Sequence, residues 1–272
     1  MDYVEFLRVR RALIIYAILV AIAAIVTVAS VSLASVHTVG ANVSITIDSN
    51  GKPEPFLPHF AVSHWRVPLG LLFGLAGYAA VTIATVFASS LNKENDGANF
   101  VFTKPISRER LALQHMAIDA AGILSAFVIA CVAIFGSFAA LGLLDHIARD
   151  AQALWIAALG LGIGFMWYGI MQAVTASYRG KGGTLVAWSW AGFVILAGVS
   201  GVTFLGSAVH ALVGALNFFN PIAYFTTLAS SGGNVTVASV VGMSLEMRVA
   251  IAWCIALVTC ALATRIWKNV EV

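Results

Sequence analysis

Long apolar runs, each about the length of a membrane crossing, divide this chain and constrain its fold more than any other feature. A hydrocarbon core about 30 Å thick needs roughly 20 apolar residues as helix. Six runs qualify, at about 12–35, 68–91, 111–144, 153–176, 184–208 and 247–267. A lone strand cannot satisfy its backbone in lipid, so each run is expected to be a helix. The expected fold class is an all-α integral membrane protein with six transmembrane helices in a single transmembrane domain. The third run is longer than a crossing requires, which puts its first turns at or outside the membrane surface. Composition agrees: 60% of the 272 residues are hydrophobic and only 10% are charged, with a mean hydropathy of +0.93. A soluble domain carries about 25% charged residues. The net charge of +3 is too small to argue for nucleic acid.

The basic residues matter by position. With the N-terminus inside, the cytoplasmic side holds Arg8, Arg10, Arg11, Lys93, Lys104, Arg108, Arg110, Arg179, Lys181, Arg265 and Lys268. The outer side holds only Lys52, Arg66, Arg149 and Arg248. Such an excess of Lys and Arg marks the cytoplasmic loops, so both termini are expected there. Asp2 and Glu5 dilute the positive charge at the start, and the first apolar run exceeds the roughly 7–15 residues of a signal-peptide core.

The connections differ in character. The outer loop 36–67 contains VSITIDSNGKPEP, which alternates and then turns, a hairpin pattern. The segment at about 209–246 is too interrupted to cross twice. Its ALVGALNFFNPIAYF is a short apolar piece broken by Asn217, Asn220 and Pro221. An apolar piece of that length reads as re-entrant, here on the outer face before the last span. The opening MDYVEFLRVRR sets Tyr3, Phe6, Leu7 and the stem of Arg10 at helical spacing. It fits a short amphipathic N-terminal helix on the inner leaflet, or a plain basic flank to the first span.

Motifs for chemistry on the chain itself are missing. RGKGGT, 179–184, has a Gly-Lys pair, but a phosphate cradle needs G-x-x-x-x-G-K-[ST] after a strand. ATP hydrolysis by this chain is therefore not expected. His37, His59 and His64 lack the convergent partners of a metal site. Cys131, Cys254 and Cys260 lie in apolar runs and read as small buried hydrophobes. Asp119 is the carboxylate well inside a run. Arg108, His115 and Asp119 share a helical face by seven- and four-residue steps. Asp119 is read as paired near the inner interface, with a transport-site charge as the alternative. Glycines at 70, 74 and 77, and at 160 and 164, permit close helix approach within one bundle or between two copies. Most tryptophans fall near span ends, as interface anchors do.

One short stretch departs from this apolar background. FTKPISRERL, 102–111, sets Lys104, Arg108, Glu109 and Arg110 around Pro105 on the inner side between spans two and three. Ser107 is a good helix N-cap there. The wider stretch 89–122, SSLNKENDGANFVFTKPISRERLALQHMAIDAAG, resembles the permease subunits of bacterial ATP-binding-cassette exporters of the type-two class, with the type V fold. In that family the second span ends in a stretch carrying a Glu and then a Gly, an "rPisR" segment follows, and a helix opens the third span. The matching residues are Glu94, Gly97, Lys104, Pro105, Ile106, Ser107 and Arg108. Ala98 departs from the small polar residue that often follows the glycine. NPIAYF, 220–225, resembles the family's motif before the final span.

The resemblance implies a permease moving a substrate across the bacterial inner membrane, with no cofactor on this chain. ATP and Mg would be held by a separate nucleotide-binding ATPase docked on the inner face. Glu94, Gly97, Lys104, Pro105, Ser107, Arg108 and Glu109, in the coupling loop 92–110, would form the coupling interface. Asn217, Asn220, Pro221 and Tyr224 would form the outer gate. A second permease copy, identical or related, would complete the path. The alternatives are a stand-alone secondary transporter and a non-transporting membrane anchor or assembly subunit.

Overall fold

The computed structural model describes residues 2–39, 66–88, 107–177, 182–200, 207–217, 220, 228–231, 234–237 and 243–269. Five of its helices are long and apolar enough to cross a membrane. They belong to α1 (Asp2–Val39), α2 (Leu69–Ala88), α3 (Arg108–Ala140), α4 (Ala153–Ser177) and α7 (Leu245–Asn269). Between α4 and α7 lie α5 (Gly182–Ser200) and a short α6 (Ser207–Asn217). Of the run expected at 184–208, residues up to Ser200 belong to α5 and the last two to α6, while 201–206 lie outside the described residues.

Local chemistry sets the ends of α3. Ser107 is its N-cap, with an extended backbone and an Oγ that accepts from the Arg110 N–H at 3.4 Å. At the other end Gly142 adopts a φ of 67°. The N–H groups of Gly142 and Leu143 donate to the carbonyls of Ala139 and Phe138. This is the glycine-closed helix end in which a left-handed residue satisfies the last carbonyls. After it, β2 (Ile147–Ala148) pairs in parallel with β1 (Val67–Pro68), just ahead of α2. Asp150 then starts α4, its Oδ1 accepting from the Gln152 N–H at 2.8 Å.

Contacts along the helices fix their directions. In α2 and α4, Gly70 adjoins Ile156, Gly77 adjoins Gly160, and Val81 adjoins Gly164. These helices therefore run parallel. So do α4 and α7, where Trp253 Nε1 donates to the Ala158 carbonyl at 3.0 Å and Gly169 lies against Ala256 and Cys260. Helices α1 and α3 are a third parallel pair, with Arg8 beside His115 at one level and Tyr16 near Cys131 further along both. Across the two sets the sense reverses. Phe87 adjoins Gly122, while Phe73, two-thirds of the helix away, packs on Phe135. Hence α1 and α3 run one way and α2, α4 and α7 run the other. At the first end of the bundle α1 and α3 begin; at the second end α2, α4 and α7 begin.

The interior follows this arrangement. One apolar cluster joins α1, α2, α3 and α4 around Tyr16, Phe87, Ile123 and Tyr168. A second joins α2, α4 and α7 around Val81, Leu159, Met166 and Ala252. The apolar windows of α2 and α4 are each 61% buried, against 6% for α1, which makes α2 and α4 the centre and α1 an outer helix. The outward side chains of α1, among them Ile18, Ile22 and Ile25, are exposed. In a multi-pass membrane protein such side chains meet lipid.

Two features differ from expectation. The first residues do not form a separate amphipathic helix, because α1 is continuous from Asp2 to Val39. That stretch contains neither Pro nor Gly to break it. A strand pair, β3 (Leu228–Ser231) and β4 (Asn234–Val237), occupies part of the segment expected to be re-entrant. Its antiparallel register sets Ser231 opposite Asn234, and both strands touch α2. The hairpin expected within 36–67 lies outside the described residues.

Candidate functional site

The first end of the bundle holds a buried charge cluster built on the face of α3. His115 and Asp119 are one turn apart, so both side chains point the same way. Asp119 is fully buried. Its Oδ2 accepts from the Tyr168 hydroxyl of α4 at 2.8 Å. The same oxygen lies 3.1 Å from His115 Nε2. Its Oδ1 receives the Arg8 guanidinium from α1 in an ion pair. The guanidinium is also 3.4 Å from His115 Nε2 and stands over the Phe87 ring, 5.7 Å from its centroid. An Arg over an aromatic face adds a cation–π attraction.

Three helices thus supply the partners of one carboxylate. An isolated carboxylate in an apolar interior is prohibitively costly, so burial of Asp119 requires these partners. A positive and a negative charge cancel within the cluster. The Arg8 side chain remains 28% exposed, so the cluster reaches from the core to the bundle surface. Tyr168 is fifteen residues beyond Ala153, about 22 Å along α4 at 1.5 Å per residue. The cluster therefore lies inside the bundle, between its middle and its first end.

The polar surface continues along α4. Gln172 and Thr175 follow Tyr168 at helical spacing and are buried. Gln172 Nε2 donates to the Phe87 carbonyl at 3.4 Å. Its Oε1 has no hydrogen-bond partner among the described residues. Thr175 returns its hydroxyl to the Met171 carbonyl at 2.8 Å.

The residues singled out from sequence fall into three groups. Of the elbow, Ser107 caps α3, Glu109 is exposed in its first turn, and Arg108 opens the helix. Glu94, Gly97, Lys104 and Pro105 lie outside the described residues, as does the side chain of Arg108. Of the gate residues, Asn217 ends α6 and Asn220 is fully buried. Asn220 Nδ2 donates to the Phe193 carbonyl of α5 at 2.9 Å and to Asn217 Oδ1 at 3.0 Å. Pro221 and Tyr224 lie outside the described residues. His115 and Asp119 come together as their spacing suggested, and Asp119 is paired.

Sequence reading missed the partners Arg8 and Tyr168. A signal existed for the second. Tyr168, Gln172 and Thr175 recur at four and three residues in an otherwise apolar helix, a polar line that has to face protein. Arg8 carried no such signal, because it sits among other basic residues at the head of α1.

Among the described residues no group of three or more His, Cys, Asp or Glu is arranged to hold a metal ion. The arrangement can bind helices together through charge. No family model matches the chain, and no curated protein or solved structure shows significant similarity to it.

Proposed function

We propose that the chain is the membrane-spanning permease subunit of an ATP-binding-cassette exporter of the type-two class. In this reading ATP and Mg are held by a separate nucleotide-binding ATPase on the inner face. A second permease copy completes the path across the bacterial inner membrane. The chain binds no nucleotide itself and contributes helices, an inner handle and an outer constriction.

The observation that carries the reading is the position of the start of α3. Ser107 caps this helix twelve residues before Asp119, the partner of Arg8, or about 18 Å along the axis. The turns between them extend past Ala88, the last described residue of α2, with Ala112, His115 and Met116 buried on their inner face. Glu109, Arg110 and Leu113 are exposed on those turns. A rigid, polar helix start outside lipid is what a soluble motor needs to push against. The elbow sequence that resembles the family leads directly into it.

The helix directions support a sixth crossing. Because α4 and α7 run the same way, the chain has to cross back between them. Helix α5 begins five residues after α4 ends and is 19 residues long, about 28 Å at 1.5 Å per residue. It is the segment suited to that return, and both termini then share the first end. Arg10, Arg11, Arg110, Arg265 and Lys268 are exposed at that end, which the excess of basic residues assigns to the cytoplasm. The bond from Asn220 to the mid-helix carbonyl of Phe193 supports the re-entrant reading of the segment before α7. Non-helical backbone at such depth is tolerated where protein shields it.

Co-purification from the native host tests the reading. A stoichiometric nucleotide-binding ATPase, lost when Lys104 and Arg108 are both replaced by Ala, is the expected result. A chain that purifies without an ATPase would shift the reading to a stand-alone transporter or an anchor subunit.

A further inference from the structure

The attachment of α1 to the bundle is narrow. Of its described side chains only Val9 and Tyr16 are buried, with Ala12, Leu13 and Val20 half-buried against the same cluster. Past Val20, Ile22, Ile25 and Val26 are exposed. Lipid tails are as apolar as these side chains, so burial gives little drive for helix association in a bilayer. Packing and polar contacts have to hold α1 in place. Among the described residues, the ion pair at its head ties it to the bundle.

That contact is arranged as a fastening. Asp119 offers two oxygens. One receives Arg8, and the other receives Tyr168 with His115 beside it. Its partners among the described residues come from α1, α3 and α4. A transported ion or substrate would have to displace one of them, and each displacement leaves a buried charge short of a partner. The geometry fits a fixed structural charge better than a transport site.

We propose that Arg8, Asp119 and Tyr168, with His115 beside them, form a joint that locks the head of α1 to α3 and α4, so that movement of the projecting start of α3 carries α1 and α4 with it. The transmission rests on the reading of that start as the ATPase handle; the joint itself does not. Asp119 is then a positioning residue. It lies three turns from Ser107 on the same rigid helix, and the ion pair passes any tilt of that helix to α1.

The test uses the full chain with its co-purifying ATPase in lipid nanodiscs. Amide hydrogen exchange is followed over residues 2–16, and ATP hydrolysis is measured in parallel. Asp119→Asn keeps the shape and removes the charge. It should raise exchange over 2–16 by roughly tenfold, as expected for local release of a helix end. The rate of ATP hydrolysis should fall while the ATPase stays bound. The exchanged pair Arg8→Asp with Asp119→Arg should recover both. If Asp119→Asn does not insert, Tyr168→Phe decides, since it removes one hydroxyl and keeps the ring. A smaller rise, about threefold, is expected there.

Unchanged exchange over 2–16 in the inserted variants would overturn the joint. Raised exchange with unchanged hydrolysis and a bound ATPase would overturn the transmission. A preparation without any ATPase would overturn the exporter reading, and the exchange measurement would still decide whether the joint exists.

Discussion

Gly77 and Gly160 meet where α2 crosses α4, so closely that a methyl group on Gly77 would lie 2.9 Å from the Gly160 α-carbon. The approach of two backbones without side chains between them is what small residues four apart permit in membrane helices. Gly70 and Gly164 line the same contact, and both are buried, as is Gly74. These glycines are engaged inside one chain.

Replacing Gly77 by Val should therefore separate the two central helices. Forcing extra methyl groups into a packed core costs about 1–3 kcal/mol. The expected result is a lower unfolding midpoint in detergent. Gly136→Val is the matched control, because nothing lies within 4 Å of an added β-carbon there. It should leave the midpoint unchanged. Equal midpoints for both variants would show that the Gly77 contact does not limit stability.

The ion pair between α1 and α3 makes a second, sharper prediction. Truncating one member of a buried pair typically costs about 3–5 kcal/mol, because the other charge is left uncompensated. Replacing both by apolar residues of similar size is often neutral. Arg8→Met alone should thus destabilise strongly, and Arg8→Met with Asp119→Leu should recover much of the loss. A double-mutant cycle on the unfolding midpoint measures the coupling directly. Additive effects would remove the pair from the account of stability.

Much of this organisation is legible in the sequence, for reasons that differ by element. Apolar runs near 20 residues are self-reporting, because lipid leaves the backbone no alternative to helix. The start at Ser107 is legible because a hydroxyl before a charged first turn is a local capping signal. The pairing of helices is not. Arg8 and Asp119 are 111 residues apart, and nothing local in either stretch names the other. The continuity of α1 was obscured because its polar first turns look like a separate surface helix. The strands at 228–237 were obscured because four-residue strands carry too little periodicity to stand out.

The shared direction of α4 and α7 predicts which surfaces face which side. Ser107 and Gln152 are exposed at opposite ends of the bundle. With the native cysteines replaced, Ser107→Cys should react with a membrane-impermeant maleimide only from the cytoplasm. Gln152→Cys should react only from outside. Labelling of both from one side would rule out the alternating path of the helices.

Asn220 carries the last prediction. Its amide donates to two acceptors, the Phe193 carbonyl and Asn217 Oδ1, and its side chain is fully buried. Interhelical hydrogen bonds in membrane proteins average about 0.6 kcal/mol and reach about 1.7. Asn220→Ala should therefore destabilise modestly, by about 1 kcal/mol on that scale. Asn220→Asp should do more, because a carboxylate has no proton to give and would set negative charge against a carbonyl and an amide oxygen. The size order is read from unfolding midpoints. The structural consequence is read from a cysteine at Val213, a buried position of α6, which should become more reactive from outside in the Asp variant as α6 loosens from α5. If Asp and Ala behave alike and Val213→Cys reactivity does not change, the donor role of Asn220 is wrong and only its shape matters.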